Sequence, residues 1–138
     1  MMRFLFCFFI IVISNQSFSA DLEITVKALR NNKGQVRLAM FNDPTEFPRG
    51  IEIRSLNIKA TLGERIAIIK GVKPGTYAIA IHHDENSDKQ MDTNFIGMPE
   101  EGYGFSNNAK VFFGPPNFGA ASFTIDTELK KISINITY

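Results

Sequence analysis

Apolar and polar side chains alternate from Asp21 almost to the end of the chain. Leu22, Ile24, Val26 and Ala28 recur with Glu23, Thr25 and Lys27 between them. A period of two gives a strand one buried and one wet face. Asn31-Asn32-Lys33-Gly34 reads as a hairpin turn, because Asn and Gly accept positive φ. Val36, Leu38 and Met40 form the return strand, and Asp43-Pro44 and Phe47-Pro48-Arg49-Gly50 then break the pattern. A third strand is predicted to begin between Ile51 and Leu56, with Leu56, Ile58, Ala60 and Leu62 on one face. A fourth follows over 65–70, alternating at Ile66 and Ile68. Gly71-Val72-Lys73-Pro74-Gly75 is a tight turn, with Pro presetting φ and Gly taking the positive-φ position. The fifth strand, 76–82, has Tyr77, Ile79 and Ile81 on one side and Ala78 and Ala80 on the other. Both faces are apolar, as in a central strand covered on both sides. Strands are also expected at 121–125 and 131–138, and another around 109–113. No helical period of useful length occurs. Seven or eight short strands with one long loop predict an all-β, antiparallel, immunoglobulin-like sandwich forming one domain over residues 21–138.

The first twenty residues break this pattern. Met1-Met2-Arg3 is a short positive start, Phe4–Ile13 is an unbroken apolar run, and 14–20 are mostly small and polar. The run is too short to cross a bilayer, which takes about 20 residues, and it reads as a secretory signal peptide. Cleavage after Ser19 puts Ser17 at −3; cleavage after Ala20 puts the bulkier Phe18 there. Export to the periplasm or beyond is the expectation, with no membrane span in the mature chain. The only cysteine, Cys7, leaves with the leader, so disulfides and thiolate chemistry are excluded. Losing Arg3 from the 15 basic residues leaves them equal to the 14 acidic ones. No basic excess points to nucleic acid as a partner.

Between the fifth strand and the last two lies a long irregular segment, 82–118, and loops of that length tend to be functional or disordered. It holds Asp84, Glu85, Asp88, Asp92, Glu100 and Glu101 against the single Lys89 of 84–101. Asp84-x-Asn86-x-Asp88-x-Gln90-x-Asp92 sets oxygen donors at positions 1, 3, 5 and 9 with a carbonyl at 7, as in a loop that wraps calcium, and Glu101 could add a carboxylate. Lys89 stands where that loop has Gly, and Phe95 where it has Glu. The other reading is a solvated turn whose side chains bond their own backbone. His82 and His83 point to opposite faces of a strand, which opposes a shared zinc. One is expected to pack or bond to the loop and the other to face water. Gly104-Phe105-Ser106-Asn107 is not a nucleophile elbow. The segment's aromatics are Phe95, Tyr103, Phe105, Phe112, Phe113 and Phe118. Exposed, they would make a sugar- or peptide-binding platform; burial of most of them is the expectation.

These motifs resemble an exported bacterial family, domain of unknown function 2141. Its members typically show a P-G-x-Y-A turn, then H-D-E-N, D-T-N, G-x-P-x-E-G-x-G-F-S-N-N and a late G-x-P-x-F. Here those are Pro74–Ala78, His83–Asn86, Asp92–Asn94, Gly97–Asn108 and Gly114–Phe118. Ser87-Asp88-Lys89 departs from the family's Gly or Asn after H-D-E-N; losing the Gly weakens the calcium loop, while gaining Asp88 adds to its charge. The P-G-x-Y turn also resembles that of transthyretin-like sandwiches. The resemblance implies export and no established activity. The expected function is a non-enzymatic binding or structural module of the cell envelope, with calcium as the candidate cofactor of its acidic loop. The alternative is a carbohydrate- or peptide-binding module, with an envelope protein or sugar as partner, using His83, Tyr103, Phe105, Asn107 and Asn108. A carboxylate-dependent hydrolase stands third.

Overall fold

Leu22, Ile24 and Val26 are fully buried on one side of β1 (Ala20–Leu29), as their period predicts. The computed structural model describes residues 17–138, so the charged start and apolar run expected to form a signal peptide lie outside the described residues. Ala20 opens β1, buried opposite Val72. A cut after Ser19 keeps that pairing, whereas one after Ala20 removes it. The other strands are β2 (Gln35–Phe41), β3 (Arg54–Lys59), β4 (Gly63–Val72), β5 (Gly75–Asp84), β6 (Gly102–Phe105), β7 (Phe123–Ile125) and β8 (Lys130–Asn135). One sheet runs β4-β1-β8. The other runs β3-β2-β5-β6, and β7 pairs with the start of β5. Every pairing is antiparallel except β1 with β8, which is parallel.

The main core lies between the two sheets. Leu22, Ile24, Val26, Ala67, Ile69 and Ile134 of the smaller sheet meet Val36, Leu38, Met40, Tyr77, Ile79 and Ile81 of the larger. The chain is an all-β sandwich. A second, smaller core covers part of the larger sheet's outer face. There Phe47 packs edge-on against Phe41, Phe105 and Phe118 at ring distances of 5.5, 5.9 and 6.0 Å, over Ala78 and Ala121. Both faces of β5 are therefore covered along this part, as its sequence predicts.

Six expectations need correction. Ala28 takes φ 62° at a register shift of β1 and is exposed, so Leu29 takes the buried place after Val26. The strand expected at 121–125 is only Phe123–Ile125, since Phe118–Ala121 forms one helical turn capped by Asn117. In β4, Ala67 and Ile69 face the core while Ile66 and Ile68 are exposed. The run Ile66-Ala67-Ile68-Ile69 is apolar at both parities, so the register is decided by pairing Ala67 with Ile24 and Ile69 with Leu22. β3 stops at Lys59, which leaves Leu62 exposed in the turn. The strand inside the long segment is 102–105, and 109–113 is loop. Gly102 and Gly104 explain the choice, because they face the C-terminal tail at close range. A Cβ on Gly104 would stand 2.7 Å from the Asn135 carbonyl oxygen, and one on Gly102 would stand 2.5 Å from Ile136 and Tyr138 side-chain atoms. Tyr103 and Thr137 then exchange backbone hydrogen bonds of 2.9 and 2.8 Å, tying the two sheets together. Last, Phe95, Phe112 and Phe113 are exposed, and only Phe105, Tyr103 and Phe118 join the second core.

Candidate functional site

The acidic stretch folds as a strap around two buried carboxylates. Asp84 ends β5 and Glu101 immediately precedes β6; they are 1 % and 3 % exposed. Glu101 accepts from His82 Nε2 at 2.6 Å, from the Glu85 N–H at 2.8 Å and from the Asp92 N–H at 3.3 Å. Asp84 accepts from the N–H groups of Asp88 (3.2 Å) and Lys89 (2.9 Å). Each carboxylate is surrounded by donors, which is how two anions share a buried corner. Burial acts to raise the Glu101 pKa, but the bonds from His82, Asp92 and Glu85 outweigh it and hold the group below its ordinary value.

Further out, the turn bonds to itself. Asn86 Oδ1 accepts from the Asp88 N–H, and Asp88 Oδ1 from the Gln90 N–H. The Asn86 amide donates to Asp88 at 3.3 Å and to Asp92 at 2.8 Å. Those amide hydrogens bridge the two carboxylates that a cation would otherwise bridge. Asp92 has its pKa raised by burial first, then by the charges of Glu101, Asp88, Glu100 and Asp84. Of the six expected calcium donors, Asp84 and Glu101 gather instead with His82, their ligand atoms lying within 4.8 Å of one another. Asn86, Asp88 and Gln90 form the exposed outer turn, with Asp92 half-buried at its end.

The histidines separate as their parity predicts. His83 points inward, fully buried, donating from Nε2 to the Lys33 carbonyl (2.8 Å) and accepting at Nδ1 from the Tyr138 hydroxyl (2.5 Å). Both ring nitrogens are thus engaged away from any surface. Nearby, Arg30 makes a two-pronged contact with Glu85 at 2.6 and 3.1 Å and stacks over Tyr138. That guanidinium lowers the Glu85 pKa. His82 faces the other way, onto the outer side of the larger sheet.

There a cleft of about 990 Å³ opens beside the second core. Its floor is the outer face of β2, β3, β5 and β6: Arg37, Ala39, Ser55, Asn57, Ala80, His82 and Tyr103, with Phe105 at the covered end. Pro48–Gly50, Lys89, Met91, Thr93 and Gly97–Pro99 of the strap, and Val111–Pro115 supply its walls. The strap sets one wall, because Arg37 Nη1 donates to the Lys89 carbonyl at 2.9 Å. Exposed apolar side chains, Met91, Met98, Val111, Phe112 and Phe113, border it.

Tyr103 and Phe105, expected as ligand contacts, do reach this cleft, but His83, Asn107 and Asn108 do not. Asn107 takes φ 59° and donates to the Ala120 and Ser122 carbonyls, while Asn108 Oδ1 accepts from the Asn135 N–H. Ser106, just before them, is buried, accepting from the Ile79 N–H and donating to the Ala121 carbonyl. Glu101, Gly102, Gly104 and Ser106–Asn108 thus fasten the run in place, while Tyr103 and Phe105 face the cleft. The floor residues Arg37, Ala39, Ser55 and Asn57 were missed from the sequence, since each looks like an ordinary outward-facing strand position. The doubly apolar fifth strand was the signal that this outer face is partly covered.

Among the described residues, no helix is long and apolar enough to cross a membrane. No curated protein and no solved structure matches the chain. The model of a family described as uncharacterized protein conserved in bacteria, DUF2141, matches residues 24–133, and the chain belongs to that family.

Proposed function

We propose that this chain is an exported, non-enzymatic binding module whose ligand lies in the outer-face cleft. The observation that carries the reading is the apolar rim: Met91, Met98, Phe112 and Phe113 come from two separate loops and are exposed around one concavity. Single exposed hydrophobics need no explanation, but a contiguous set at a cleft marks a binding surface. The volume lies at the upper end of the range for small-molecule sites. On this reading the acidic strap is scaffold. Its hydrogen bonds hold the Lys89–Met98 wall over the floor. Calcium supplements it by easing the like charge around Asp92, at an affinity of roughly 10⁻⁴–10⁻³ M as in extracellular modules.

The test is a titration with the amphiphilic fluorophore 8-anilinonaphthalene-1-sulfonate, whose aromatic rings report apolar surroundings. The folded wild type is expected to enhance its emission saturably. A Phe112→Ser/Phe113→Ser variant is expected to bind about tenfold more weakly or worse, since each buried ring side is worth a kcal/mol or more. Its melting temperature should not change, because both rings are exposed in the free protein. Unaltered binding by that variant would sink the reading.

A further inference from the structure

The cleft is not electrically neutral. Arg37, Arg49 and Lys89 line it against Glu52 alone, in a chain whose basic and acidic residues nearly balance. Among the described residues, none of these three cations has a carboxylate within salt-bridge distance, whereas Arg30 holds Glu85 in a two-pronged contact. Arg37 stands on the floor, in register with His82 on one side and Asn57 on the other. One of its five N–H donors goes to the Lys89 carbonyl. A guanidinium with donors to spare beside apolar walls suits an anion attached to an apolar body.

The floor narrows the choice further. β2 is paired on both edges, by β3 and β5, and β5 by β2 and β6. The cleft therefore lies over a sheet face whose backbone groups are already satisfied. An extended peptide laid there would bury its own N–H and C=O groups without strand partners, which is costly. A sugar would bring many hydroxyls to walls made of Met and Phe, and the chain has no Trp to stack on its rings. An alkyl chain has no polar groups to satisfy. Met91 and Met98 are the flexible side chains that adapt to such a shape.

We propose that the cleft takes a free long-chain aliphatic carboxylate, its chain against Met91, Met98, Phe112 and Phe113 and its carboxylate on Arg37 and Arg49. This rests on the reading of the cleft as a binding site and adds the class of its ligand.

Isothermal titration of the mature protein with dodecanoate and with dodecan-1-ol, each kept below its aggregation threshold, tests it. Dodecanoate is expected to bind at least about tenfold more tightly, the worth of one charge-assisted contact. Raising the salt should weaken dodecanoate and leave dodecanol unmoved. In an Arg37→Gln/Arg49→Gln variant the two ligands should bind alike, at the affinity of dodecanol for the wild type. If the floor substitution unfolds the chain, Arg49→Gln alone should still shrink the preference, because Arg49 lies in the loop after β2. Equal affinity of acid and alcohol for the wild type overturns the anionic ligand and leaves the cleft standing. Binding of an apolar hexapeptide but of neither amphiphile overturns the ligand class in favour of peptide. Binding of none of these, with no response from anilinonaphthalene sulfonate, overturns the cleft as a site.

Discussion

Replacing Glu101 by leucine is expected to cost about 3 kcal/mol or more at neutral pH. The side chain is buried, and its two oxygens accept three hydrogen bonds, from His82 and from the N–H groups of Glu85 and Asp92. Leucine fills much of the volume and satisfies none of the donors, and each buried donor left unpaired costs about 1–3 kcal/mol. Thermal unfolding followed by circular dichroism reads the loss directly. A drop below 1 kcal/mol would show that the strap hangs on other contacts. Acid should reproduce part of the effect in the wild type. Glu101 is held below its ordinary value of 4.5 in the fold, as is Glu85 by Arg30. A carboxylate with a depressed folded pKa contributes stability that is fully present above its unfolded value. That contribution is lost as pH falls through the folded value. Melting temperature should therefore decline below about pH 4.5, and less steeply in Glu101→Gln, whose amide cannot titrate.

The second large effect is expected at Gly104. Valine there should destabilise by about 3 kcal/mol, the upper range for forcing volume into a packed site. The obstruction is backbone: the new Cβ meets the Asn135 carbonyl oxygen at 2.7 Å and Ile134 Cγ2 at 3.0 Å. A carbonyl cannot swing aside as a side chain can, so β8 would have to move off β6. Gly114→Ala is the control, since its Cβ would enter open space, and its effect should stay within about 0.5 kcal/mol. Urea denaturation of the two variants gives the comparison. Similar midpoints for both would mean that the tail is free to shift.

The same two residues show what the sequence carried and what it did not. Strict alternation gave β1, β2 and β8 because each has one apolar parity, and the core then follows from period two. In β5, apolar at both parities, the larger Tyr77, Ile79 and Ile81 marked the core side. Alternation failed at β4, where both parities are apolar, and at β6, where the inward residues are glycines and leave no apolar mark. The fastening role of Asn107 and Asn108 was equally hidden. It depends on Ala120, Ser122 and Asn135, residues distant in sequence that only the fold brings near. Carboxylate spacing suggested an ion, but spacing does not say that Asn86 would place its own amide between Asp88 and Asp92. Likewise a small floor residue such as Ala80 carries no signal of a cleft. Only the exposed loop rings hinted at one, and their burial was the wrong expectation for half of them.

Whether the cleft binds and the acidic strap supports it can be read from amide chemical shifts of the isotope-labelled mature protein, titrated with dodecanoate and separately with calcium. Dodecanoate is predicted to move the amides of Arg37–Phe41, Ala80–His82, Tyr103 and Val111–Gly114, with calcium acting only along Asp84–Asp92. A floor that stays silent to dodecanoate, while calcium moves Asp84–Asp92, would contradict the account and make the acidic turn the site.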